Sequence, residues 1–350
     1  MAILPLKGHD EARTRVARAF AADRLPQVLL LTGPEGVGKQ RFALWVGQLA
    51  LCERPADEPC GRCQSCRFAV AIEHPDLHWL VPVERPKSGD QDRQVEEAAE
   101  RISEQVAVRR EKGRWGPAEG LAAHGVASAH LLLRRAALTP VQSKRKVFIV
   151  GEANRLVPQE SSPEAANALL KLLEEPPADT IVLLTATEPE QVLPTIRSRA
   201  VQLRLAPLPD AQVREFATGY LGDGDISDAD IRGAAGAIGR LAAPVEASEK
   251  ATKGARAIAD AVKRGDGTAY ERALAQAPWQ ARGAFTDLLD ALALELSQDI
   301  RKGMPREEAS AAVAALGRVQ AAREQAQGNV NPQLILAALV TELTHVSAER

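Results

Sequence analysis

The sequence predicts an α/β protein with a parallel sheet covered by helices on both faces, followed by a small helical domain and an all-α domain. Three observations carry this. Helix and strand periods alternate through the first two hundred residues, a glycine-rich turn sits between a strand pattern and a helix pattern, and strand signals vanish beyond about residue 208.

Taken in order, residues 10 to 24 have helical spacing, with Val16, Phe20 and Ala21 on one face and Pro26 just past the end. Val28, Leu29, Leu30 and Leu31 then form a short unbroken apolar run, the signature of a strand buried on both faces. After the glycine turn at 33 to 38, helical spacing returns through Phe42, Leu44, Val46 and Leu49. Leu77 to Val81, Val147 to Val150 and Thr180 to Leu184 read as three more strands, with a helix at 164 to 175 between the last two. The stretch from Glu84 to Glu119 carries nine acidic and eight basic residues and is broken by Pro86, Gly89, Gly113, Gly116 and Pro117. It reads as an insertion, about 84 to 126, holding one exposed helix near 91 to 110 and acting as a solvated arm. Beyond it, Pro305 and Pro332 stand where first-turn residues of helices belong. The expected domains are 1–207, 208–247 and 248–350.

Composition excludes several classes of function. The 350 residues carry 44 Lys and Arg against 46 Asp and Glu, which argues against binding nucleic acid or a membrane surface through net charge. Aromatics are 3% of the chain, too few for interleaved base-stacking platforms, while 45% apolar residues suffices for sizeable cores. The first residues lack the basic and apolar regions of a signal peptide, and no window approaches a membrane span. A cytoplasmic protein is expected, in a compartment where cysteines are metal ligands or core residues rather than disulfides.

Gly33 to Gln40, GPEGVGKQ, matches G-x-x-x-x-G-K between a strand and a helix, the context that makes the motif specific for phosphate. Gly33, Gly36 and Gly38 let successive backbone N–H groups curl around phosphate oxygens, and Lys39 can reach the β- and γ-phosphates, so the loop is of a kind that can take ATP or ADP, while its occupancy is a separate question. Hydrolysis is not. The Ser or Thr that would hold Mg²⁺ after the lysine is Gln40, and the aspartate that would end the strand at 147 to 150 is replaced by Gly151, followed by Glu152. Glu152 is either a water-activating carboxylate or a plain polar residue at a strand end.

All four cysteines fall within fifteen residues, as Cys52, Cys60, Cys63 and Cys66 in the spacing C-x₇-C-x₂-C-x₂-C. Two short turns sharing Cys63 bring three thiolates to one point, and the longer link returns the fourth to close a tetrahedron for structural zinc. An iron–sulfur centre is the second reading, although the spacing differs from ferredoxin runs, and disulfides are the third. The role read for this knuckle is to fold a polar excursion at the end of the loop helix, with contact to a partner second.

The glycine loop and its helix running into the knuckle, EHPDL at 73 to 77, KRKVFIV at 144 to 150, NALLKLLEEPP at 167 to 177 and SRA at 198 to 200 together resemble the bacterial DNA polymerase III clamp-loader family, over roughly residues 7 to 245. The resemblance implies AAA+ modules, each a nucleotide-fold domain with a helical lid, joined by a helical collar into a five-subunit ring. It implies motor subunits, gamma/tau, that hydrolyse ATP, together with a delta subunit and a stator that does not hydrolyse; motors keep Thr after the lysine and Asp before the glutamate. Gln40 and Gly151 make this chain look like the stator type. The implied partners are gamma/tau and delta, with the sliding clamp and primed DNA reached through the complex.

The same resemblance makes Arg199, in Ser198-Arg199-Ala200, the candidate arginine finger for a neighbour's ATP, where the family has Cys in place of Ala200. The plainer alternative is a surface cation at a helix end, and Arg197 is a substitute candidate. Thr187 matches the sensor threonine and Arg240, in GAIGR, the sensor arginine of the lid, though either is as readily structural. Two rival functions are a catalytically active clamp-loader motor or related AAA+ ATPase, and a general DNA-binding module.

Overall fold

The computed structural model describes residues 4–86, 89–113, 115–116, 118, 122–156, 164–187, 189–221, 226–242, 245–265, 267–276, 284–301, 306–327 and 330–348. The chain divides into two compact units, 1–242 and 243–350.

In the first unit, helix α1 (Asp10–Ala21) carries Asp10 and Glu11 in its first turn, where carboxylates oppose the positive end of the helix dipole. Strand β1 (Val28–Thr32) leads through the glycine loop into α2 (Lys39–Leu51), and α3 (Gln64–Ala71) follows the cysteine knuckle. Then come β2 (Leu77–Leu80), α4 (Gln91–Lys112), α5 (Val126–Ala136), β3 (Lys146–Val150), α6 (Glu164–Glu174), β4 (Thr180–Ala186), α7 (Pro194–Arg197) and β5 (Val201–Arg204). Helices α8 (Asp210–Phe216) and α9 (Asp228–Gly233) and a 3₁₀ turn at Ile238–Ala242 close the unit.

The five strands form one parallel sheet in the order β2-β3-β4-β1-β5. Every residue of β1, β3 and β4 is buried, as the unbroken apolar runs require. Period-two alternation sends Leu29, Leu31, Ile149 and Leu183 into a core with α2, and Val28, Leu30, Phe148 and Leu184 into a second core with α5 and α6. The sheet is thus filled from both sides. Strand β5 has no counterpart among the expected strands. It lies at the sheet edge with Val201, Gln202 and Arg204 exposed and only Leu203 buried, so it never displays an apolar run.

The insertion departs from expectation. Helix α4 is not a solvated arm, because Val95, Ala98 and Ile102 are buried in the same core as α2. Their i, i+3, i+7 spacing makes a narrow apolar stripe that the intervening charges mask in the sequence. Asp90 caps the helix by accepting from Arg93 N at 2.9 Å, and Gly113 ends it in the left-handed conformation (φ 69°).

Residues 208–242 keep a small core of their own, Leu208, Val213, Ala217, Ile231 and Ala234, and belong to the first compact unit. The second unit contains, among the described residues, α10 (Val245–Arg264), α11 (Thr268–Leu274), α12 (Ala284–Arg301), α13 (Arg306–Gln327) and α14 (Pro332–Ala348). They surround Ile258, Phe285, Leu289, Leu292, Val319, Leu339 and Val340. Pro332 begins α14, whereas Pro305 lies outside the described residues. Among the described residues no helix is long and apolar enough to cross a membrane.

Candidate nucleotide site and cysteine centre

The glycine loop joins the carboxyl end of β1 to the amino end of α2, so backbone N–H groups and the helix dipole converge on one point. Two of its glycines are dictated by space and conformation. At Gly33 (φ 148°) a Cβ would lie 2.4 Å from Leu205 O, and at Gly36 (φ 78°) it would meet Arg240 N at 3.1 Å and Ala237 Cβ at 3.3 Å. The turn at 238–242 is fastened to the loop by Gly239 N donating to Gly36 O at 2.8 Å. Arg240 is therefore beside the phosphate loop, close enough that its charge acts on Lys39. Lys39 Nζ donates to Gly33 O and Pro34 O, each at 2.8 Å. Burial lowers its ammonium to about 8, against the opposing pull of Glu35 and Glu152.

The positions that hold Mg²⁺ in a hydrolysing P-loop are filled differently here. The Gln40 amide lies over Gly151, where an added Cβ would stand 2.9 Å from Gln40 Oε1, so a side chain at 151 would have to displace that amide. Gly151 O is taken by His124 Nε2 at 2.6 Å, and full burial pushes that imidazole down to about 4, leaving it neutral. Arg109, near the end of α4 and itself buried, donates from Nη1 to Gln40 Oε1 at 3.1 Å and lies 3.9 Å from Glu152 Oε1. Its guanidinium carbon is 5.4 Å from the centroid of the Trp79 ring. The donor set a divalent metal needs, a hydroxyl and a carboxylate, is replaced by an amide and a guanidinium. Mg²⁺ does not fit these residues.

Glu152 is bound on several sides. Ala118 N donates to both carboxylate oxygens at 3.1 Å, Arg155 Nε stands 3.0 Å from Oε2, and its own N–H donates to Thr185 Oγ1 at 3.0 Å. Both carboxylate oxygens are thus held by donors from the segment at 118 and the turn at 155. The threonine reaching this site from β4 is Thr185, whereas Thr187 lies just past the strand end and is half-buried. Sequence reasoning missed Arg109, Thr185 and His124. Arg109 stands among many similar charges, and no spacing singles it out.

Arg199 is elsewhere. Leu29 pairs with Val201 and Thr32 with Arg204, so Arg199 precedes the starting end of β5 while its own glycine loop follows the finishing end of β1. At ~3.3 Å per residue, the two lie roughly 15–20 Å apart along the strands. The guanidinium is part-exposed. Its Nε and Nη2 donate to Glu174 Oε1, the former at 2.8 Å, and Nη1 donates to Thr195 O at 2.7 Å. Arg197 differs, with its Nε buried and without a hydrogen-bond partner.

The four cysteines meet in space. Their Sγ atoms all lie within 4.8 Å of one another, with Cys60 Sγ and Cys66 Sγ 3.9 Å apart, and none is disulfide-bonded. Four thiolates at ~2.3 Å from one tetrahedral ion would be ~3.8 Å apart, so the set fits a single zinc-sized ion rather than a multi-iron cluster. Backbone donors point at the sulfurs: Cys60 N to Cys52 Sγ (3.3 Å), Cys63 N to Cys60 Sγ (3.4 Å) and Cys66 N to Cys63 Sγ (3.3 Å). The last also caps α3. The Arg62 and Cys63 amides lower the Cys60 thiol to about 6, while burial raises those of Cys52 and Cys66.

A strand, phosphate loop and helix on a five-stranded parallel sheet, with Arg240 against the loop, define a P-loop protein of the AAA+ class. Residues 8–209 match the family described as DNA polymerase III, delta subunit, and the chain belongs to that family. Among curated relatives, the DNA polymerase III subunit delta' of Pseudomonas aeruginosa is 36% identical over 186 residues, 52% of this chain and 43% of that protein. The gamma/tau subunit of Mycobacterium bovis is 30% identical over 208 residues, 59% of this chain and 29% of that one. The delta' subunit of Escherichia coli is 28% identical over 353 residues, covering 95% and 92% respectively. The chain thus spans less than half the length of the first two and nearly all of the third.

Proposed function

We propose that this chain is a non-hydrolysing, stator-type component of a DNA polymerase III clamp loader that presents Arg199 to the ATP of a neighbouring motor subunit. The observation that carries the reading is the division of the molecule into a closed metal position, Gln40 over Gly151, and an arginine displayed at the opposite end of the sheet. Phosphoryl transfer depends on a positioned metal, and this chain positions none at its own loop. A guanidinium carries a permanent charge on a planar fork that matches a γ-phosphate, and in the isolated chain Glu174 occupies that fork. A triphosphate carries more charge than one carboxylate and competes for the same donors.

Partners follow from the relatives. The delta' and gamma/tau names among the relatives support gamma/tau motors as neighbours, and a delta subunit, the sliding clamp and primed DNA complete the proposed assembly. The cysteine centre is assigned to structural zinc, and the lid and collar to residues 208–247 and 248–350.

In a loader reconstituted with its motor subunits, Arg199→Ala is expected to leave assembly intact while lowering ATPase about tenfold or more, in line with the effect of removing an arginine finger. Undiminished ATPase removes the assignment. The rival, a self-sufficient motor, requires Mg²⁺-dependent turnover by the isolated chain. Its complete absence beside an active motor control favours the stator.

A further inference from the structure

We infer that Arg109 is a resident cation standing in for Mg²⁺, so that the glycine loop of this chain binds a nucleoside diphosphate or triphosphate without a divalent metal. The loop itself is built for phosphate, with glycines at its constrained turns, Lys39 at the helix start and Arg240 alongside. What it lacks are the hydroxyl after the lysine and the carboxylate at 151 that would hold a metal. At that place the buried Arg109 donates to Gln40, the residue after the lysine, at 3.1 Å and lies 3.9 Å from Glu152, the residue after Gly151. The charges correspond. A divalent ion beside an aspartate contributes a net charge of about +1, and the single guanidinium in a site without that aspartate contributes the same.

Three features make Arg109 a fixed part of the site. Val95, Ala98 and Ile102 anchor α4 in the sheet core, Trp79 lies 5.4 Å beneath the guanidinium, and Gln40 orients one of its donors. Glu152 is shared with Arg155, so it does not neutralise Arg109 alone. Lys39, with Arg240 acting on it, and Arg109 stand with Glu35 and Glu152, an excess of cations that favours a polyphosphate. The inference does not rest on the proposed place in a clamp loader.

The test uses the isolated full chain and titrates ADP and ATP by calorimetry, in EDTA and again with excess Mg²⁺. The expected result is a Kd that agrees within about twofold between the two conditions. Arg109→Gln and Lys39→Ala should each weaken binding about tenfold or more in both, the scale of removing one charge-assisted hydrogen bond. A Kd about tenfold tighter with Mg²⁺, or no detectable binding by the unaltered chain, overturns the inference. Unchanged affinity in an Arg109→Gln variant that melts like the parent overturns it as well. Should that variant fail to fold, the comparison of EDTA with Mg²⁺ in the unaltered chain still decides.

Discussion

Asp76 shows how a single residue of a recognisable motif does its work. In EHPDL its carboxylate accepts three backbone N–H groups, Val141 (2.6 Å), Gln142 (2.9 Å) and Ser143 (2.7 Å), while His74 Nδ1 accepts from Asp76 N at 3.1 Å and Ser143 Oγ lies 3.2 Å from the other ring nitrogen. Burial by itself would raise this carboxyl, but the three donors together hold it below its usual value. Because the folded pKa is depressed, the stabilisation is complete above the unfolded value near 4 and is lost as pH falls through the folded one. Asp76→Asn is expected to cost about 2 kcal/mol at neutral pH, with the gap from the parent narrowing below pH ~4; denaturant melts at several pH values check both. Lys39 gives a second expectation. Its ammonium is half-neutral near 8 in the free chain, and a bound polyphosphate favours the charged form. Nucleotide affinity should therefore be flat at neutral pH and fall as pH rises past about 8, by up to about tenfold per unit, in calorimetric titrations across that range. The motif at 73 to 77 and Lys39 are both visible in the sequence. The reason for the motif is not, because residues 141 to 143 come to Asp76 only through the pairing of β2 with β3.

At the scale of elements, the cysteine knuckle and α4 contrast. The knuckle is legible because its ligands are close in sequence and their type is rare in the chain: four cysteines, all in one cluster. Removal of the proposed zinc should loosen α3 first, since the Cys63 sulfur caps that helix, and Gln48 Nε2 ties it to α2 through Cys66 O at 3.4 Å. Protein purified without added metal is expected to hold about one zinc per chain, and a strong chelator at raised temperature should speed amide hydrogen exchange in α3 while that in β3 and β4 stays slow. Iron in the metal analysis, or uniform exchange, contradicts this. Helix α4 misleads for the opposite reason. Its buried stripe is three residues wide among charges, and its partner surface on the sheet lies far away in sequence. Strand β5 is hidden for a related cause, since an edge strand with one buried residue carries almost no pattern.

At the scale of the whole molecule, two compact units with separate cores imply separate unfolding. Scanning calorimetry of the intact chain is expected to resolve two transitions, and a chelator should lower only one of them, because the cysteine centre lies in 1–242. A single transition that shifts as a whole would show the units to be thermodynamically one.

The sequence by itself determined the P-loop, the positions along the chain and burial of its central strands, the cysteine centre and the loss of the metal-holding residues at 40 and 151. These are local patterns, set by the period of a strand, the spacing of ligands or the identity of a residue at a fixed offset. Only the tertiary structure decided what replaced the metal. Arg109 is 69 residues from Gln40, and an interaction across that separation has no signature in either segment. Sheet register likewise decided that Arg199 stands at the far end from its own loop, since the opposite ends of parallel strands are fixed by pairing and not by any property of the arginine. Local chemistry is written in neighbours along the chain; a charge that arrives from another element is written only in the packing that brings it.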